Sequence, residues 1–172
     1  MLKGGAWWSI FPLFSRSQRM FLGEFEHSLD AKQRLAFPAE IRDGLKSDIH
    51  GESLVAIPGA NGSLWIWPEK TFETMAAGQT RGFVRSQEQM EMDRYVFSRA
   101  ARLTFDNAGR IRIPDRLLQE FGLKGRVTIL CAFDHFELSD ADAWKTEFAQ
   151  ASEKGKGDYY YRRLDPSRKD KA

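Results

Sequence analysis

Residues 105–114 read FDNAGRIRIP, and residues 29–38 read LDAKQRLAFP. Each stretch runs apolar residue, Asp, three residues, Arg, an apolar-any-apolar triplet and Pro. Asp30, Arg34 and Pro38 therefore answer to Asp106, Arg110 and Pro114, at a constant offset of 76. A motif repeated twice at that distance indicates a tandem duplication rather than a solenoid. One copy alone could bury too little surface to be secure, so the two are expected to share a core about an approximate two-fold axis.

Within each motif the Asp suits the first position of a tight turn, where its carboxylate can accept backbone N–H bonds. Gly109 can take the positive φ that other residues resist. A strand, a turn and a second strand follow. Strand alternation puts Ile111 and Ile113 on one face and Arg110 and Arg112 on the other, and sets Leu35 and Phe37 against Arg34 and Ala36. The arginines are thus expected to point away from the core, beside a turn.

The two halves continue alike. AEIRDGLK after Pro38 and DRLLQEFGLKG after Pro114 read as short helices with Pro near the first turn and Gly122 as a stop. SLVAIPGANGSLWIWPEKTFETM then parallels RVTILCAFDHFELSDADAWKTEF, each a strand, turn, strand and helix. The turns fall at GANG and near Asp134 and His135. Only the joining segment lacks a counterpart. It sets Val84, Met92, Tyr95 and Val96 at helical spacing and leads into the strand SRAARLTFD. The boundaries expected are a disordered extension at 1–19, a first repeat at 20–78, a connecting helix at 79–96, a second repeat at 97–150 and a basic, partly disordered tail at 151–172.

The chain has 172 residues, 42% of them hydrophobic, which is enough for a packed core. A lone cysteine, Cys131, can form no internal disulfide and has no second thiol at metal spacing, which points to a reducing cytoplasm and a buried thiol. No apolar run approaches the roughly 20 residues a membrane helix needs, and residues 1–19 carry no cleavage site; no membrane segment is expected. The net charge of +2 is unevenly spread: residues 1–19 and 152–172 carry +3 each, which leaves −4 on the body. A polyanion would have to meet that body at a local basic patch. In the tail, YYYRR offers an auxiliary nucleic-acid contact against the plainer reading of a solvated segment.

Three readings of the twinned Asp and Arg stay open on the residues alone. The arginines can close back onto the aspartates as internal salt bridges. Arg34 and Arg110, with Lys32 beside the first, can instead pair with phosphate or guanine. Or Asp30 and Asp106 can share a proton as an aspartic-protease dyad, although an adjacent Arg lowers a carboxylate pKa where a dyad must keep a proton. His27, His50 and His135 lack metal spacing, GANG lacks the Lys of a P-loop, and no Ser sits in a G-x-S-x-G setting. Neither an enzyme nor a cofactor is expected.

MFLGEFEHSLDAKQRLAFPAEIR, FDNAGRIRIPDRLLQEFGL and FDHFELSDADAW together resemble the bacterial MraZ family over about residues 20–150. That resemblance implies an α+β, mainly β chain: two tandem pseudo-symmetric SpoVT/AbrB-like swapped-hairpin β-barrel repeats with flanking helices, assembled as a ring-shaped homo-oligomer. It further implies a cytoplasmic, nucleoid-associated regulator that binds repeated boxes in double-stranded promoter DNA upstream of its own gene, in the division and cell wall cluster. By the same resemblance DNA contacts fall on Lys32 and Arg34, with Arg110 as second counterpart, while the turn and helix-start chemistry above makes Asp30, Pro38, Asp106, Gly109 and Pro114 structural. One departure is Gln33, where the family usually has Gly. The alternative from another class is an AbrB-like antitoxin-type module that binds a partner protein through its tail.

Overall fold

Each repeated Asp folds its own turn, and the rest of the architecture grows from those two turns. The computed structural model describes residues 20–78 and 85–157. The extension at 1–19, Val84 and the start of the connecting segment, and YYYRR in the tail lie outside the described residues.

In the first half, β1 (Glu24–Ser28) leads through the Asp30 turn to β2 (Arg34–Ala36), then α1 (Ala39–Gly44) and α2 (Ser47–His50). The hairpin β3 (Ser53–Pro58) and β4 (Leu64–Pro68) follows, then α3 (Glu69–Gly78). A connecting helix, α4 (Gln87–Arg99), is capped by Ser86, whose hydroxyl accepts from the Gln89 N–H. The second half repeats the order without a counterpart of α2, so that the joining segment is not alone in lacking one: β5 (Ala101–Thr104), β6 (Arg110–Arg112), α5 (Asp115–Glu120), β7 (Arg126–Ala132), β8 (His135–Asp140) and α6 (Ala141–Glu153).

The chain is therefore mixed helix and sheet, and every strand pair among the described residues is antiparallel. Six strands form one sheet in the order β1-β7-β8-β4-β3-β5, while β2 and β6 form a separate ribbon. Exchanging each strand for its counterpart in the other half reverses that order onto itself, as a two-fold axis between β8 and β4 requires. β1 of the first half pairs with β7 of the second, and β5 of the second with β3 of the first. The halves do not close as separate units, because each lends its first strand to the other's hairpin.

The axis runs through the ribbon at Leu35 and Ile111, which are register partners and both 0% exposed. They are counterparts at the offset of 76, so this pair meets itself across the axis. Phe37, Ile41, Leu54, Leu64, Ile66, Ile113, Leu117, Val127, Ile129, Phe136 and Leu138 join them in one core drawn from both halves. Phe136 packs its ring 4.6 Å from that of Phe21 and 5.5 Å from that of Phe37. Burying each such aliphatic or aromatic side chain is worth about 1.5–3 kcal/mol, and only the shared arrangement collects it.

Pro38 and Pro114 cap α1 and α5 at φ −53° and −58°, where the ring's fixed φ suits a helix start. The residue after α5, Phe121, is followed by Gly122 at φ +62°, the left-handed stop expected from the sequence. The strand expected over SRAARLTFD is shorter than that stretch: Ser98 and Arg99 belong to α4, and β5 begins at Ala101. The helical spacing of Met92, Tyr95 and Val96 carries on through them.

Candidate nucleic-acid interface

The two turns share one bonding scheme. Asp30 Oδ1 accepts from the N–H groups of Lys32 (2.8 Å) and Arg34 (2.9 Å). Asp106 Oδ1 accepts from those of Ala108 (2.9 Å) and Arg110 (3.0 Å). In each, the backbone also closes between the Asp and the residue four on, at 3.0 Å in the first turn and 2.8 Å in the second. A short side chain that bonds its own backbone two residues on is the reason Asp stands at both positions.

The other carboxylate oxygen ties the halves together. Asp30 Oδ2 accepts from Arg34 Nε at 2.8 Å and lies 2.7 Å from Arg34 Nη2. Asp106 Oδ2 accepts from Arg110 Nε at 2.9 Å and lies 2.8 Å from Arg110 Nη2. Arg34 then reaches across to Asp106 at 3.5 Å, and Arg110 to Asp30 at 3.7 Å. The structure thus brings Asp30, Arg34, Asp106 and Arg110 into one crossed cluster. The backbone repeats the crossing, since Phe37 N–H donates to Gly109 and Ile113 N–H to Gln33.

This cluster decides among the readings left open by the sequence. The hydrogen bonds from Arg110 hold the Asp106 carboxyl down at about 2. The Arg34 backbone N–H and then its side chain likewise hold Asp30 below its usual range. Both carboxylates are ionised near neutral pH, so neither keeps the proton a protease dyad needs. Arg34 and Arg110 close back onto the aspartates, as one of the three readings has it: their side chains are 27% and 33% exposed, and each is held by two aspartates. Each still shows an edge to solvent.

Gln33, at the position answering to Gly109, holds φ +60°, and Gly109 holds φ +72°. The first turn therefore keeps the geometry of the second at the cost of a left-handed non-glycine residue. Gly109 has a further reason to lack a side chain: a Cβ there would lie 2.7 Å from Arg42 Cδ, which folds over it. Arg42 Nε in turn donates to the Phe37 carbonyl at 3.1 Å.

The tips differ in charge. At the first, Lys32 is exposed, and an open depression of about 380 Å³ is lined by Ala31, Lys32, Gln33, Arg34 and Arg112. At the second, Ala108 stands where Lys32 would be, and Ala36 faces Arg110 across the ribbon where Arg112 faces Arg34. Arg112 was not among the site residues expected from sequence. Alternation placed it outward, but the register that brings it beside Lys32 and Arg34 belongs to the fold.

Away from the tips, burial pushes the Cys131 thiol up to about 11, so it is a packing group and a poor nucleophile at neutral pH. Among the described residues no three His, Cys, Asp or Glu side chains are grouped to hold a metal ion, and no helix is long and apolar enough to cross a membrane.

Comparison with known proteins fits the duplicated architecture. A family model described as "MraZ protein, putative antitoxin-like" matches twice, over residues 20–94 and 96–164. A transcriptional regulator MraZ from Roseiflexus sp. (strain RS-1) is 37% identical over 127 residues, covering 73% of this chain and 85% of the relative. Proteins of the same name from Lactiplantibacillus plantarum, 33% identical, and Lachnoclostridium phytofermentans, 30% identical, cover 73% and 74% of the chain and 86% of their own lengths. With both of its halves matched in tandem, the chain belongs to the MraZ family.

Proposed function

We propose that this chain is a sequence-specific, non-catalytic DNA-binding transcriptional regulator. It acts as a repressor on repeated boxes upstream of its own gene, in the division and cell wall cluster. Double-stranded promoter DNA meets the first tip, with Lys32 and the solvent edge of Arg34 as contacts and Arg110 as the weaker counterpart. Asp30, Pro38, Asp106, Gly109 and Pro114 hold the turns. The crossing of β1, β2, β5 and β6 between halves is what a swapped-hairpin domain of the SpoVT/AbrB kind would give, with repeats at 20–78 and 97–150.

The observation that supports this reading is the cationic first tip, held on a braced turn, in a chain whose relatives are named transcriptional regulators. One tip offers few phosphate contacts, and the body carries net negative charge. A ring-shaped homo-oligomer offsets this, because several tips in register with boxes about 10 base pairs apart bind through effective concentration rather than single-site strength. Such a protein works in the cytoplasm, on the nucleoid.

Footprinting of the region upstream of the gene tests the proposal. Protection should appear as spaced repeats and weaken for Lys32→Ala, whose side chain braces nothing among the described residues. A fragment left unprotected at every protein concentration would contradict it. The competing reading, an antitoxin-type module, has one observation in its favour, the words "antitoxin-like" in the description of the family model. Recovery of one stoichiometric partner protein, with no upstream DNA, would favour it.

A further inference from the structure

Charge at the first tip does not balance, and the excess sits on a residue that the fold alone brings there. Two carboxylates, Asp30 and Asp106, serve two arginines, Arg34 and Arg110. Lys32 has no ion-pair partner among the described residues. Among the described residues Arg112 has only Asp115, 3.7 Å away, and the two side chains are 69% and 57% exposed. An exposed pair at that separation contributes close to nothing.

Arg112 also stands directly opposite Arg34 in the β2–β6 register. Like charges facing each other across a ribbon destabilise it. At the pseudo-equivalent place the fold uses Ala36 opposite Arg110, so nothing in the ribbon requires a cation there. The uncompensated arginine lines the same depression as Lys32 and Arg34.

We propose that Arg112, lent by the second half to the first half's tip, is a phosphate-contacting residue of the DNA interface. Lys32 and Arg112 then join Arg34 around one depression, as two loose cations beside one held by Asp30 and Asp106. This inference rests on the DNA-binding reading above, and it makes the two pseudo-symmetric tips unequal: only the first carries the pair.

The test is fluorescence anisotropy of the full chain, with the upstream fragment and with a duplex of scrambled sequence, across a salt series. Arg112→Ala is compared with wild type, Arg112→Lys and Arg94→Ala, an exposed α4 arginine outside the tip. Arg112→Ala should weaken both duplexes by a similar factor, roughly tenfold at 0.1 M salt per engaged protomer, and flatten the slope of log affinity against log salt by about 0.9 for each phosphate no longer neutralised. Arg112→Lys should recover most of the affinity, Arg94→Ala should match wild type, and the thermal midpoint of Arg112→Ala should stay level or rise. Wild-type affinity and slope in Arg112→Ala would overturn the inference and leave the Lys32 reading standing. Weakening confined to the upstream fragment with an unchanged slope would overturn the phosphate assignment in favour of a base contact. A wild-type chain that binds neither duplex would overturn both proposals.

Discussion

Arg34 in the first half lies 3.5 Å from Asp106 in the second, while its own turn's Asp30 holds it at 2.7 Å. A guanidinium shared this way is a brace between duplicated units before it is anything else. Its solvent edge is presented at a fixed angle because two carboxylates fix the plane. Orienting a contact residue in advance removes an ordering cost that binding would otherwise carry.

That brace is sensitive to acid. Asp106 is held at about 2, well below the value of about 3.9 for an unfolded Asp, so its contribution is complete above about pH 4. It should be lost as pH falls from about 4 through about 2. In Asp106→Asn, circular dichroism over that range should show a smaller loss of stability with acid than in wild type, from a lower starting stability at pH 7.

Gln33 offers a test of backbone strain. At φ +60° it occupies the left-handed region that its counterpart fills with glycine. Gln33→Gly should stabilise the chain by about 1 kcal/mol in denaturant melts, since the left-handed penalty exceeds glycine's added chain entropy. The reverse change, Gly109→Gln, should destabilise by more, because Arg42 must also vacate its place over the turn.

Leu35 and Ile111 pair on the axis with no exposure. Leu35→Ala should cost about 2–5 kcal/mol and yet leave one cooperative transition, because both halves lose the same core. Two resolved transitions in calorimetry would mean that the halves fold separately.

Much of this fold is legible in the sequence because its two copies confirm each other. Asp30 and Asp106 announce turns, Pro38 and Pro114 announce helix starts, and the constant offset announces an axis. Pairing between halves is less legible, since period-2 alternation says which face a side chain takes but not which strand lies beside it. Arg112 escapes sequence reasoning for that reason. With Leu35 set against Ile111 its position follows at once, but that register is a tertiary fact. The bracing of Arg34 and Arg110 is one of the readings the motif allows, and spacing cannot rank it, because one arginine edge can serve a carboxylate and a phosphate together.

The central claim is that the first tip grips DNA through cations the fold leaves unbalanced. The most direct measurement is the binding isotherm of the double variant Lys32→Ala, Arg112→Ala on the upstream fragment beside that of wild type, with thermal melts run in parallel. The expected result is an intact fold, affinity reduced by roughly a hundredfold at 0.1 M salt per engaged protomer, and a salt slope flatter by about 1.8. An intact double variant that binds the fragment as wild type does would contradict the account.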